Sequence, residues 1–125
     1  RKVARKLQEI GLVTLTNLSG VVSRERVLEI YLNVIEYGPG VYGIADAARH
    51  YFGKEPSDLS VPESVWLASI IRSPRYLSRH AEAGVVPARW MERMQAMMEI
   101  MVERERLTAE QLKAARGVQP EFVNR

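Results

Sequence analysis

The sequence predicts a mainly α-helical fold, and three observations lead there. Apolar residues recur at helical spacing in most segments of the 125-residue chain. Two capping boxes, Ser60 to Glu63 and Thr108 to Gln111, mark helix starts. The strongest breakers, Gly38-Pro39-Gly40, Gly53 and Gly117, fall between the periodic segments.

Residues 1–10 read as a helix, with Val3, Leu7 and Ile10 on one stripe and Lys2, Arg5, Lys6 and Glu9 opposite. Spacing alone makes that polar side a solvated face with one Arg5–Glu9 pair. Residues 11–22 hold two glycines, two threonines, Asn17 and Ser19. They fit a short hairpin, an irregular loop or a helix rescued by packing.

Ser23 is an N-cap for a helix from Arg24 to Glu36. Val27, Leu28, Tyr31, Leu32 and Ile35 form its apolar face, while Glu29, Asn33 and Glu36 share another. Gly38-Pro39-Gly40 then turns the chain sharply. A small-residue helix follows, with Ile44, Ala45, Ala47, Ala48 and Tyr51 suited to close packing, and Gly53 ends it. His50 lies near that end, where a cation offsets the helix dipole. His80 has no companion at a ligand spacing, so a metal site built from the two histidines is not expected.

Pro56 to Leu59 read as a turn, and Ser60 starts a helix through about Ile71, with Val65, Trp66, Leu67 and Ile70 as core. Arg72-Ser73-Pro74-Arg75-Tyr76 ends it, and residues 77–86 read as a loop. Pro87 opens a long helix on which Trp90, Met94, Met97 and Met101 form a stripe, read as core filling. A last helix from Thr108 closes at Gly117, and the tail from Gln119 is expected to fray.

Composition bounds the function classes. The net charge of +3 permits a phosphate-bearing partner without requiring one. Cysteine is absent, which excludes disulfides and cysteine-based metal sites. No stretch approaches the roughly 18 consecutive apolar residues of a membrane span. The chain opens on Arg-Lys with no signal peptide or initiator methionine, so it reads as a fragment or processed piece.

Arg24 to Lys54 carries a resemblance. Arg24, Val27, Leu28, Glu29, Tyr31, Leu32 and Asn33 stand at the positions of K-x-x-I-L-E-x-Y-L-N, the fourth motif of the peptidoglycan glycosyltransferase domain. That domain polymerises lipid II in monofunctional transglycosylases and class A penicillin-binding proteins. Gly38 to Phe52 is most similar to the monofunctional branch. Arg5-Lys6-Leu7-Gln8-Glu9 resembles the third motif, R-K-x-x-E. Arg93 matches the first arginine of the fifth motif, R-R-x-x-V-L, whose second arginine is replaced by Met94 and whose Val-Leu is replaced by Met97-Met98.

The resemblance implies an all-α, lysozyme-like fold with a cleft between helices. It implies that Arg5 and Lys6 face a donor pyrophosphate and that Glu9 is the second cleft carboxylate. Fixed cations aimed at a departing diphosphate stabilise the transition state beyond the ground state. A carboxylate among them can orient the cations or help hold a divalent metal, magnesium or manganese, at the phosphates. The resemblance makes Arg72 and Ser73 candidate ligand contacts, and the residues themselves read equally well as an exposed basic turn. Arg24, Glu29, Tyr31, Asn33 and Arg93 are implied as structural support.

The first motif, E-D-x-x-F, carries the family's general base, and the second, G-x-S-T-x-T-Q-Q, shapes its donor cleft. Neither occurs in this chain. The expectation is therefore the C-terminal portion of the domain over residues 1–125, with little or no turnover alone. Its implied setting is the periplasmic face of the bacterial cytoplasmic membrane, anchored by an upstream segment. Lipid II and the growing glycan strand are the implied partners. Uncovered apolar faces predict self-association of the fragment. A non-catalytic relative that binds lipid-linked pyrophosphate or a cell-wall partner is the alternative. Nucleic acid ranks last, because no helix-turn-helix pattern or strand-borne aromatics occur.

Overall fold

The computed structural model describes residues 23–123. The third-motif residues Arg5, Lys6 and Glu9, and the unsettled stretch 11–22, lie outside the described residues. The chain folds in the order α1 (Arg24–Val34), β1 (Glu36–Gly38), β2 (Val41–Tyr42), α2 (Ile44–Phe52), a 3-10 turn (Pro56–Asp58), α3 (Val61–Ile70), α4 (Pro74–Leu77), α5 (Arg79–Ala83), α6 (Ala88–Glu103) and α7 (Ala109–Ala115). It is mainly helical, as expected, with one short antiparallel hairpin added.

The helix starts follow local chemistry. Ser23 Oγ accepts from the Arg26 amide at α1. Full capping boxes form at α3, between Ser60 and Glu63, and at α7, between Thr108 and Gln111. Gly53 takes a left-handed φ of 64° and its amide closes α2.

At the centre stands α3. Seven of its ten residues are buried, and Trp66 is fully enclosed. An α-helix buried nearly all round needs neighbours on every side. Here α6 and α7 pack against it, and Tyr51 and Phe52 of α2 meet the Trp66 ring edge-on at 4.9 and 5.9 Å. Met94 and Met98 are buried and Met97 and Met101 pack against the core, so the methionine stripe is core filling.

Four expectations are corrected. The first helix ends at Val34, not Glu36, and Ile35 turns extended as its cap (ψ 159°). Glu36 therefore leaves the helical face of Glu29 and Asn33 and enters β1, where it is buried. Gly38-Pro39-Gly40 is a hairpin turn rather than a bare corner, pairing Gly38 with Val41 and Glu36 with Tyr42. The chain is built to pair there, because Gly43 at φ 88° sends its amide to the Ile35 carbonyl at 2.8 Å.

Residues 77–86, read as a loop, are largely the short helices α4 and α5, closed by Gly84. They are too short for periodicity to register. Lastly, the tail is docked rather than frayed from Gln119 to Val123, the part within the described residues. Gln119 clamps both the amide and the carbonyl of Val86 at 2.8 and 3.0 Å, Phe122 stacks on Phe52, and the Val123 amide reaches the Tyr51 carbonyl.

Candidate functional site

The hairpin is wedged between α2 and α4, and its fit is set by Tyr51. The Tyr51 hydroxyl donates to the Tyr37 carbonyl at 2.7 Å, deep in the core. A side chain on Gly38 would strike that hydroxyl, so only glycine lets the strand lie there. Burial, and then the neighbouring Tyr31, push the Tyr37 phenol up to about 12. Tyr37 is therefore neutral at physiological pH.

Beside it, Glu36 is only 5% exposed. Its Oε2 lies 2.9 Å from Arg75 Nε, across from β1 to α4. The contact is an ion pair rather than an aligned hydrogen bond, because Oε2 has no hydrogen-bond partner. Arg75 belongs to the turn segment that includes Arg72 and Ser73. Both of those are exposed, and Ser73 makes no capping bond to α4. A cavity of about 140 Å³ opens by the hairpin tip, lined by Pro39, His50, Tyr51, Ser78, Ala81 and Glu82. His50 occupies the last turn of α2 and meets the Tyr51 ring edge-on at 4.8 Å.

The fourth-motif residues sit on α1. Arg24 and Glu29 are exposed, and Glu29 pairs with Arg26 at 2.9 Å in the open. Such a pair contributes about 0–1 kcal/mol. Asn33 Nδ2 donates to the Glu29 carbonyl, occupying an acceptor near the helix end. Tyr31 is half-buried against the core. Arg93 lies 5.0 Å over the Trp90 ring, a cation–π contact on α6. The structure brings Arg72, Ser73, Arg75 and Glu36 into one neighbourhood, while Arg93 sits on a different element.

A second cavity, about 340 Å³, lies between α3 and α7 and is lined by Lys54, Glu63, Ala115, Val118 and Gln119 among others. Lys54 Nζ pairs with the buried Glu63 at 2.9 Å. Burial alone would raise the Glu63 pKa, but the Ser60 backbone amide and Lys54 together lower it. His80 accepts from Trp66 Nε1 at its Nδ1, 3.1 Å away, and burial lowers its pKa. Among the described residues, no group of three His, Cys, Asp or Glu side chains could hold a metal. No helix among them is long and apolar enough to cross a membrane.

The sequence did not single out the Glu36–Arg75 pair. Its only trace was an acid beside the Gly-Pro-Gly breaker and an arginine in the Arg72 to Tyr76 turn.

Comparison with known proteins decides the family. A family model described as Transglycosylase matches residues 1–102, spanning both the R-K-x-x-E and the fourth-motif stretches. The chain belongs to the transglycosylase family. A protein named biosynthetic peptidoglycan transglycosylase from Nitrosomonas eutropha is 54% identical over 83 residues, covering 66% of this chain and 33% of its own length. One of the same name from Bordetella pertussis is 38% identical over 102 residues, covering 80% of this chain and 41% of its own. The crystal structure of penicillin-binding protein 1A from Haemophilus influenzae superposes with a TM-score of 0.64 at 25% identity, over 83% of this chain and 15% of that one. The transglycosylase chain thus spans between a third and two fifths of the length of these two curated relatives. Its mainly helical architecture is the lysozyme-like one that the resemblance implied.

Proposed function

We propose that this chain is the C-terminal portion of a peptidoglycan glycosyltransferase domain. The whole domain polymerises lipid II into glycan strands and releases undecaprenyl pyrophosphate. The observation that carries the reading is the family match over residues 1–102, which includes the basic third motif as well as the fourth. A sugar hydroxyl attacks the donor's anomeric carbon. The bond from that carbon to the pyrophosphate oxygen breaks, and the electron pair leaves with the diphosphate.

Arg5 and Lys6 meet that growing charge, and Glu9 is the second acid of the cleft. Cations fixed in place before the reaction stabilise the leaving group without reorganising. Arg72 and Ser73 contact the substrate from the segment that leads into α4. Arg24, Glu29, Tyr31, Asn33 and Arg93 hold the helices that frame it. The base that takes the acceptor's proton lies before Arg1, in the part of the domain with the first two motifs.

By the same reading, the protein works at the periplasmic face of the cytoplasmic membrane, on lipid II and the nascent strand. Two side chains of α1, Leu28 and Val34, are 54% and 50% exposed, which favours self-association of the isolated chain.

The test uses purified full-length protein, lipid II and a gel readout of glycan polymer. Full-length protein is expected to polymerise, Glu9→Gln to lose at least about 100-fold in rate, and the isolated 125-residue chain to form no polymer. Full-length protein that binds lipid II yet never extends a strand would favour the non-catalytic alternative.

A further inference from the structure

Glu36 is an expensive residue for its place. It sits at 5% exposure between Ile35 and Tyr37, both buried and apolar. Withdrawing a carboxylate from water costs several kcal/mol, which one ion pair does not reliably recover. A hairpin that needed only filling there would be served as well by an apolar side chain. Among the described residues, what the charge does have is one partner, Arg75 Nε at 2.9 Å.

An arginine held at Nε keeps the four N–H groups of its other two nitrogens for further acceptors. The Arg75 side chain is 34% exposed, so part of its fork reaches solvent. The turn it belongs to is strongly cationic. From Arg72 to Arg79 there are three arginines and no acid. The third, Arg79, lies 5.1 Å over the exposed Tyr76 ring. From Pro74 on, that segment is α4 itself, a helix only four residues long whose main packing partner is β1. So short a helix does not fix its own position. The ion pair is the charged link between that turn and the hairpin.

We propose that Glu36 is a positioning residue, which through Arg75 holds the Arg72 to Tyr76 turn in the arrangement that binds the diphosphate part of the substrate. The proposal rests on the reading that Arg72 and Ser73 meet the substrate, and it adds Arg75 as a further anion contact. Glu36 itself does not touch the ligand. It sets the direction of the guanidinium and the distance of the turn from the hairpin tip. Lysine at position 75 keeps the charge but lacks the planar fork, so it does not replace arginine here.

The experiment titrates inorganic pyrophosphate into isotope-labelled full-length protein and follows backbone amide signals of residues 72–76. Wild-type protein is expected to shift at those signals. Glu36→Gln and Arg75→Lys are each expected to bind about fivefold or more weakly, the loss of a charge-assisted, oriented contact. With lipid II, the same variants raise KM by a similar factor while kcat stays within about twofold. Val41→Ala, a core change in the same hairpin that leaves both charges, lowers Tm but leaves pyrophosphate affinity as in wild type. Unchanged affinity in both charge variants, no shift at the turn in wild type, or an equal loss in Val41→Ala overturns the proposal. Wild-type protein that binds pyrophosphate at the turn but never polymerises lipid II sinks the proposed function and leaves the positioning role intact.

Discussion

Tyr51 shows how one side chain fixes a local arrangement. Its hydroxyl donates to the carbonyl of Tyr37, and both residues are buried. Tyr51→Phe leaves that carbonyl without its partner, and the expected cost is about 1–3 kcal/mol in urea denaturation. His80 gives a pH dependence with a definite sign. Burial holds its pKa below 6.5, and the Nδ1 that accepts from Trp66 must carry no proton. The unfolded chain therefore takes up a proton first, and stability falls as pH drops below about 6.5 toward the folded value. Tm measured from pH 7.5 down to 5.5 should decline, and His80→Gln should flatten that decline. Glu63 behaves in the opposite region of the scale. Its lowered pKa contributes stability that is fully present above about 4.5 and lost as pH falls through the folded value. Glu63→Gln should lower Tm at neutral pH and show a shallower loss of Tm below pH 4.5 than wild type.

At the scale of elements, the junction of α1 with the hairpin depends on one glycine. Gly43 sits at φ 88°, and a Cβ there would come within 2.6 Å of the Asn33 carbonyl oxygen. Backbone atoms cannot swing away as a flexible side chain can. Gly43→Ala should cost about 2–4 kcal/mol, combining a left-handed penalty with a displaced helix end. Gly40 is the contrast, with φ 75° but open space around it. Gly40→Ala should cost about 1–2 kcal/mol, the backbone penalty alone. The two variants, compared by thermal melts, separate conformational strain from crowding. Two elements beside α3, the helices α5 and α6, are bridged through it by one polar chain. Trp90 Nε1 donates to Ser69 Oγ, Ser69 Oγ to the Trp66 carbonyl, and Trp66 Nε1 to His80. It satisfies the indole N–H groups of the buried Trp66 and the partly buried Trp90.

Across the whole molecule, the C-terminal segment closes the core. Phe122 meets the Trp66 ring edge-on at 4.8 Å, and Gln119 ties the segment to Val86 ahead of α6. A chain stopped after Val118 exposes that side of Trp66 and leaves both Val86 backbone groups unpaired. It should unfold at least about 3 kcal/mol more easily, read as a lower urea midpoint. Nothing in the local sequence marks Gln119 to Val123 as ordered, because its contacts are with residues 33 and more positions away.

The sequence by itself determined the longer helices and their family. Capping boxes, glycine stops and apolar spacing are local chemistry, and each of α3, α6 and α7 begins where its own residues direct. The match of motif residues around Arg24 to Asn33 is likewise a property of the chain order. Only the tertiary structure decided the fate of Glu36. A three-residue strand has no period to read, and a helix pattern running through Val34 and Ile35 carries no sign of where it stops. What converts Glu36 from a helix-face acid into a buried partner of Arg75 is a pairing between segments 39 residues apart (75 less 36), held by packing that neither segment encodes alone.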